Sequence, residues 1–440
     1  MNQPATGQEA KRASLFNTYI QRMRAFTPNA RQYLISTAIF GVAMGIQDLL
    51  FNFYVLSMGY NQAVLGNLVT LRSATTLIAA LPMGYLTDRL GRKAAFLAGN
   101  IGVGVSIAMM VAFPSIPMFS AMNLLLGMAQ SLSAVAMGPF LMENSGEKER
   151  TYLFSFASGM RVTAASVGQW LGGFMPGWFA GLLGVSAVST LAYKSALSAL
   201  VIGVGLSLIP LLFISNTRLA QTPRSVFAPF SYMRRDARGM SKLILPMLVT
   251  SVGAGMIMPF MNVFFRNVHH QSDSAIGVIF AWGSLAMGLG LLIAPILAEK
   301  FGKIQVVVAS QAISIPFLVL LGFSPWFAPS LVAYYFRLTL MNMSGPVYST
   351  FVMEKVDPQS RGMMASLTSM ASNFGWALSP TISGILQVRY GFQPAFAVTL
   401  VMYIASTAMY YFWFWHSQKA PQAVPACPEA ESAAEEAYRS

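Results

Sequence analysis

Apolar residues fill runs of about 20 or more positions along this chain, and polar clusters interrupt them at short intervals. A helix of that length, rising 1.5 Å per residue, crosses a hydrocarbon core about 30 Å thick. Twelve runs predict twelve spanning helices, at 32–57, 62–86, 93–113, 117–142, 151–181, 190–214, 242–267, 274–298, 303–323, 328–353, 361–387 and 392–415. The polar stretch 215–241, basic through Arg218, Arg224, Arg234, Arg235 and Arg238, reads as a linker between six runs at 32–214 and six at 242–415. Residues 1–31 and 416–440 are polar tails. The end of the first, SLFNTYIQRMRAF, is expected either to lie on the membrane surface as an amphipathic helix or to stay unstructured. The second, with Glu429, Glu431, Glu435 and Glu436 among alanines, is expected to be solvated chain. The expected fold class is therefore an all-α integral membrane protein of twelve transmembrane helices in two six-helix bundles.

Composition agrees with that pattern. The chain is 55% hydrophobic and 10% charged, and its mean hydropathy of +0.56 lies outside soluble usage. A formal charge of +13 is compatible with a polyanion partner, but the basic residues fall between apolar runs and not along one polar face. They are topology signals, so no nucleic acid is expected. With the N-terminus inside, only Lys194, Arg266 and Arg389 face outward, which places both termini in the cytoplasm of a multi-pass protein of the plasma (bacterial inner) membrane. One cysteine, Cys427, excludes an intramolecular disulfide, and three histidines give no basis for a metal site. His269 and His270, beside Asp273 in an outer loop, are expected to be solvated. No Walker lysine motif is present, so no cofactor is expected and ATP does not drive the protein directly.

The polar segment GYLTDRLGRK, Gly84 to Lys93, separates the second and third runs. Asp88, Arg89, Arg92 and Lys93 cannot sit in lipid, and Gly84 and Gly91 are expected to let two helix ends approach and turn sharply. The pattern G-x-x-x-D-R-x-G-R-K resembles the signature loop of the major facilitator superfamily of secondary transporters. An internal repeat supports the resemblance. A shift of 211 residues carries Asp88 to Glu299, Gly91 to Gly302, Arg92 to Lys303, Glu143 to Glu354, Arg150 to Arg361 and Ser155 to Ser366. Parallel six-span repeats of this kind imply pseudo-symmetric halves with the solute site at their interface near midplane. By resemblance the loop is a cytoplasmic latch: Asp88 meets the start of the eleventh span, where free N–H groups and the helix dipole favour a carboxylate. Arg92 is expected to bridge to Glu143, and Glu143 with Arg150 and Glu354 with Arg361 are candidate further ties or simply solvated loop charge.

Four ionisable residues fall inside predicted spans: Asp48, Arg72, Arg161 and Arg337. An ion at the membrane centre costs at least about 2.5 kcal/mol, so each is a functional candidate. Counting along the helices places all four about 15 Å deep, near midplane. Asp48 and Arg72, at matching depth on consecutive spans, form either a structural clasp or a proton switch. By resemblance the first and tenth spans line the cavity, which brings Asp48 and Arg337 into the solute path. With Arg161 the cavity then carries about +2 and favours anions.

The fifth span, from Gly159, resembles the glycine-rich signature of proton-coupled drug exporters at Gly159, Gly168 and Gly172, departing from it at Gly173 and Pro176. Small-residue packing explains these glycines equally. The fourth span has no base from Leu124 to Gln130, where many exporters carry arginine. The expected function is a monomeric, non-enzymatic transporter working by alternating access, with a small anionic or amphipathic organic solute, protons and membrane lipid as its partners, in the direction of export. Uptake of a nutrient anion, a lipid flippase and a non-transporting receptor or assembly factor remain alternatives.

Overall fold

A computed structural model describes residues 26–215, 237–356 and 361–415. Most of the linker and both tails lie outside the described residues, as do the side chains of Arg150 and Arg361. The described chain is helical. Six helices form the first half: α1 (Pro28–Ser57), α2 (Gln62–Leu90), α3 (Arg92–Ala112), α4 (Ile116–Glu143), α5 (Glu147–Leu183) and α6 (Thr190–Leu212). The second half comprises α7 (Ala237–Ile257), α8 (Met261–Asn267), α9 (Asp273–Phe301), α10 (Lys303–Phe323), α11 (Phe327–Lys355), α12 (Arg361–Phe374), α13 (Ser379–Tyr390) and α14 (Gln393–Phe414). Within these, α7 with α8 and α12 with α13 each make one span, giving twelve.

Nine segments among the described residues are long and apolar enough to cross a membrane. The three spans that fall short are α5, α11 and the α12–α13 pair, which carry Arg161, Arg337 or an interruption. Those interruptions are the main departure from the expected spans. Residues 242–267 and 361–387 were expected as continuous helices, but Met258–Phe260 and Gly375–Ala377 are single 3-10 turns. Pro259 has no N–H to offer a helical ladder, and its carbonyl instead accepts from Asn52 Nδ2 at 2.8 Å. Gly375 packs so tightly on Ser251 that a Cβ would lie 2.1 Å from the Ser251 carbonyl carbon; its N–H donates to Ser251 Oγ at 3.0 Å. A broken helix at membrane depth is tolerated when other groups satisfy the freed backbone and it lines a cavity.

The chain turns between α2 and α3, and between α9 and α10, on one residue each. Gly91 and Gly302 hold φ of +85° and +94°, a conformation that glycine adopts without penalty. Gly84 does not turn the chain: it lies inside α2, where an added Cβ would meet only Val135 at 3.6 Å. The polar hairpin is thus two helices meeting at Gly91. The two glycines mark one end of the bundle, here the basic end; the opposite end, where α1 finishes and α2 begins, is the far end. Side chains of Asn61, Ser115, Ser189 and Ser272 cap the helices that start there, satisfying N–H groups that lack an intrahelical partner.

The halves meet along α5 with α9 and along α2 with α13. These approaches are backbone to backbone near the far end. A Cβ at Gly66 would lie 2.2 Å from the Pro380 carbonyl oxygen, one at Gly384 2.3 Å from that of Gln62, and one at Gly277 2.8 Å from Gly173 Cα. Within the first half, Gly168 faces the Val42 carbonyl at 2.1 Å by the same measure, so α5 is clamped against α1 on one side and α9 on the other. Close small-residue packing of this kind holds helices together where lipid removes the hydrophobic drive.

Candidate functional site

Between the halves lies a chamber of about 320 Å³. Asp48 from α1 and Arg72 from α2 face each other across it, with Arg72 Nη1 3.8 Å from Asp48 Oδ1. The Asp48 side chain is 52% exposed, and that exposure is to the chamber it lines. Ring surface comes from Phe51, Phe280, Tyr334 and Trp376, the last on the 3-10 turn that breaks the eleventh span. Carboxamides of Gln47, Asn52, Asn123, Gln169 and Asn262 and the hydroxyl of Ser284 add further polarity. Most already have partners: Asn52 Nδ2 donates to Asn262 Oδ1 at 2.9 Å, Asn123 Nδ2 to the Phe119 carbonyl at 2.8 Å, and Gln169 Oε1 accepts from Ser284 Oγ at 2.9 Å.

The other two interior arginines are elsewhere. Arg337 is 1% exposed and absent from the chamber lining, although Tyr334 and Leu338 on the same helix are part of it. Each residue step turns a helix by about 100°, which aims Arg337 toward α14. There Nη2 donates to Tyr403 Oη at 3.1 Å, the guanidinium lies 5.2 Å from the Tyr403 ring, and Nε has no partner. Arg161 is exposed on α5, with its carbonyl oxygen 3.4 Å from where a Gly41 Cβ would lie. Gly172, which packs on Ile46 beside the Asp48 turn, is about 16 Å further along the same helix. Depth counted from the start of α5 misleads because the helix has 37 residues, about 55 Å, and outruns the membrane. The expected +2 cavity is therefore corrected to a chamber lined, among the described residues, by one acid and one base.

Sequence reasoning missed the closure at the far end. Tyr193 of α6 donates to Asp273 at the start of α9 and accepts from Arg266 Nη2 of α8 at 2.8 Å. Arg266 Nε lies 3.6 Å from Asp273 Oδ1, and its guanidinium stacks 4.5 Å from the Phe53 ring of α1. Two residues from each half are thus joined in one cluster. Nothing in the chain singles out their pairing, since Arg266 and Asp273 read as loop polarity while Phe53 and Tyr193 lie inside apolar runs. His269 is also not solvated as expected. It is 8% exposed among Phe264, Phe265 and Phe327, with Nε2 unpartnered. Burial, with His270 adding to it, pushes its proton affinity below the ordinary histidine value.

A family model for the Major Facilitator Superfamily matches residues 33–270 and 243–439, most of the chain. The chain belongs to the Major Facilitator Superfamily. It is a multi-pass membrane transporter and not an enzyme. Its curated relatives include the class C tetracycline resistance protein of Escherichia coli, 25% identical over 342 residues that cover 70% of this chain and 77% of that one. Another is the multidrug resistance protein MdtG of Yersinia enterocolitica serotype O:8, 24% identical over 346 residues covering 76% and 79%. In fold it is similar to a bacterial homologue of the human lysosomal transporter Spinster, solved inward-facing and unoccupied, with a TM-score of 0.74 at 13% identity over 90% of this chain and 99% of that one. The nucleoside transporter NupG gives 0.69 at 15% identity over 90% and 100%.

At the basic end of this superfamily member, the signature segment forms ion pairs inside the first half. Arg92 Nη1 lies 2.9 Å from Asp88 Oδ1, and Arg92 Nε 3.2 Å from Glu143 Oε1. Arg89 extends over the Tyr85 ring at 5.0 Å. The second half repeats the arrangement, with Lys303 paired to Glu354. Both pairs join consecutive helices of one half. The ties expected from Glu143 to Arg150 and from Glu354 to Arg361 involve side chains outside the described residues.

Proposed function

We propose that this transporter exports a small organic solute across the bacterial inner membrane by alternating access, with protons as the coupling ion and Asp48 as the group that carries them. The observation that carries this reading is the Asp48–Arg72 pair exposed to the chamber between the halves. A carboxylate there titrates with access to water, and its protonation releases Arg72 to a ligand or to a new partner. The excess of Lys and Arg at the basic end argues for that end being cytoplasmic. Closure at the far end is then closure toward the outside, and the state described is inward-facing. On this reading the far-end cluster holds that state, Arg337 braces α11 against α14, and the signature segment latches the opposite one. The fold neighbour solved inward-facing is in keeping with this orientation, and the drug-resistance relatives favour export.

Flux in proteoliposomes tests the proposal. An imposed pH gradient should drive solute against proton movement, and reversal of the gradient should reverse the flux. Asp48→Asn should abolish the gradient dependence while leaving solute binding measurable. Co-movement of proton and solute would replace export by uptake, and gradient-independent flux would remove the coupling.

A further inference from the structure

The chamber's chemistry narrows the cargo. Among the described residues its lining holds one carboxylate and one guanidinium, close enough to neutralise each other. A singly charged cargo must draw one of them away from its counter-ion, so the contact it gains is offset by the one it breaks. An uncharged or zwitterionic cargo leaves the charges balanced. Rings face the chamber from the first, eighth, tenth and eleventh spans through Phe51, Phe280, Tyr334 and Trp376, so a flat apolar body can be stacked from several directions.

We infer that the cargo is a ring-bearing small molecule without net charge, neutral or zwitterionic. This rests on the transporter reading above and replaces the anionic class that the sequence favours. The Asp48–Arg72 pair then reads the two poles of a dipolar cargo, a positive pole toward Asp48 and a negative one toward Arg72.

A matched series that keeps one ring and varies only charge tests the inference: indole-3-acetamide (neutral), tryptophan (zwitterion), indole-3-acetate (anion) and tryptamine (cation). Binding to purified full-length protein at pH 8 should be tighter for the first two by at least about tenfold. Asp48→Asn should turn the preference toward indole-3-acetate, and Arg72→Gln toward tryptamine. Preference of the native protein for a charged member, no binding of the uncharged pair, or a ranking unmoved by both charge variants would overturn the cargo class. Tryptophan flux into proteoliposomes separates the two readings. Binding of the uncharged pair without any protein-dependent flux overturns transport and leaves the class standing, whereas flux of a charged probe alone does the reverse.

Discussion

The two ends of the bundle are held together by different chemistry. At the far end the ties described run between the halves: Asn52 to Asn262, Tyr193 to Asp273 and Arg266, and glycine backbones in direct approach. At the basic end the charged pairs described, Arg92 with Glu143 and Lys303 with Glu354, run between helices of the same half. On the alternating-access reading, the difference teaches how the molecule divides its labour. Pairs within a half stiffen each half as a body, and pairs between halves decide which end is shut. A substitution at the far end should therefore open that end, and one that removes a within-half pair at the basic end should lower stability without opening it.

The largest effect is expected from Gly173→Val. An added Cβ would lie 2.9 Å from the Asp273 carbonyl oxygen and 3.0 Å from Gly277 Cα, so the far end cannot close. Transport should fall by more than about 100-fold, the scale of a several-kcal/mol overpacking penalty. Spin labels on Ala187→Cys and Ala328→Cys, in a Cys427→Ser background, should move apart. An unchanged label distance would break the comparison at its strongest point.

Arg266→Gln should act in the same direction more weakly. Losing a charged partner in a half-buried cluster costs about 1.5–3 kcal/mol, so the population with separated labels should rise by about tenfold or more. Arg92→Ala should not move those labels apart. Its pair is 12% and 14% exposed, and its loss should lower stability by about 1–3 kcal/mol, read as a drop in melting temperature. Lys303→Ala sharpens the contrast within the basic end: its pair is 29% and 54% exposed, and its loss should cost under about 1 kcal/mol.

The smallest effect concerns acid. His269 is buried neutral with its proton affinity pushed down, so the unfolded chain binds a proton that the folded one refuses. The stability this neutral ring contributes is complete above the unfolded value of about 6.5 and is lost as pH falls below it. Melting temperature should drop between pH 8 and pH 5, and His269→Phe should remove part of that drop.

Much of the fold was legible because lipid imposes a simple rule on composition. Runs of apolar residues gave the spans to within a few positions, and the 211-residue repeat gave the halves, down to the paired turns at Gly91 and Gly302. Depth was legible as well: counting along consecutive helices put Asp48 and Arg72 at one level, and their side chains lie 3.8 Å apart. Azimuth was not. Arg337 shares a helix with two lining residues, yet points a quarter turn away into Tyr403, and no single-sequence count distinguishes the two faces of a helix apolar all round. Arg161 shows the matching error along the axis, since a helix longer than the membrane has no marked midpoint. The far-end cluster was invisible for a third reason, because its members are unremarkable residues brought together only by the tertiary fold.

The turn Met258–Phe260 joins two events that are usually discussed separately. Met258 and Pro259 form part of the chamber wall, while the carbonyl of that same proline is the hook on which Asn52 of the opposite half is caught. Wall and seam thus meet in three residues. On the proposed reading, a molecule that presses on this wall also tugs at the seam.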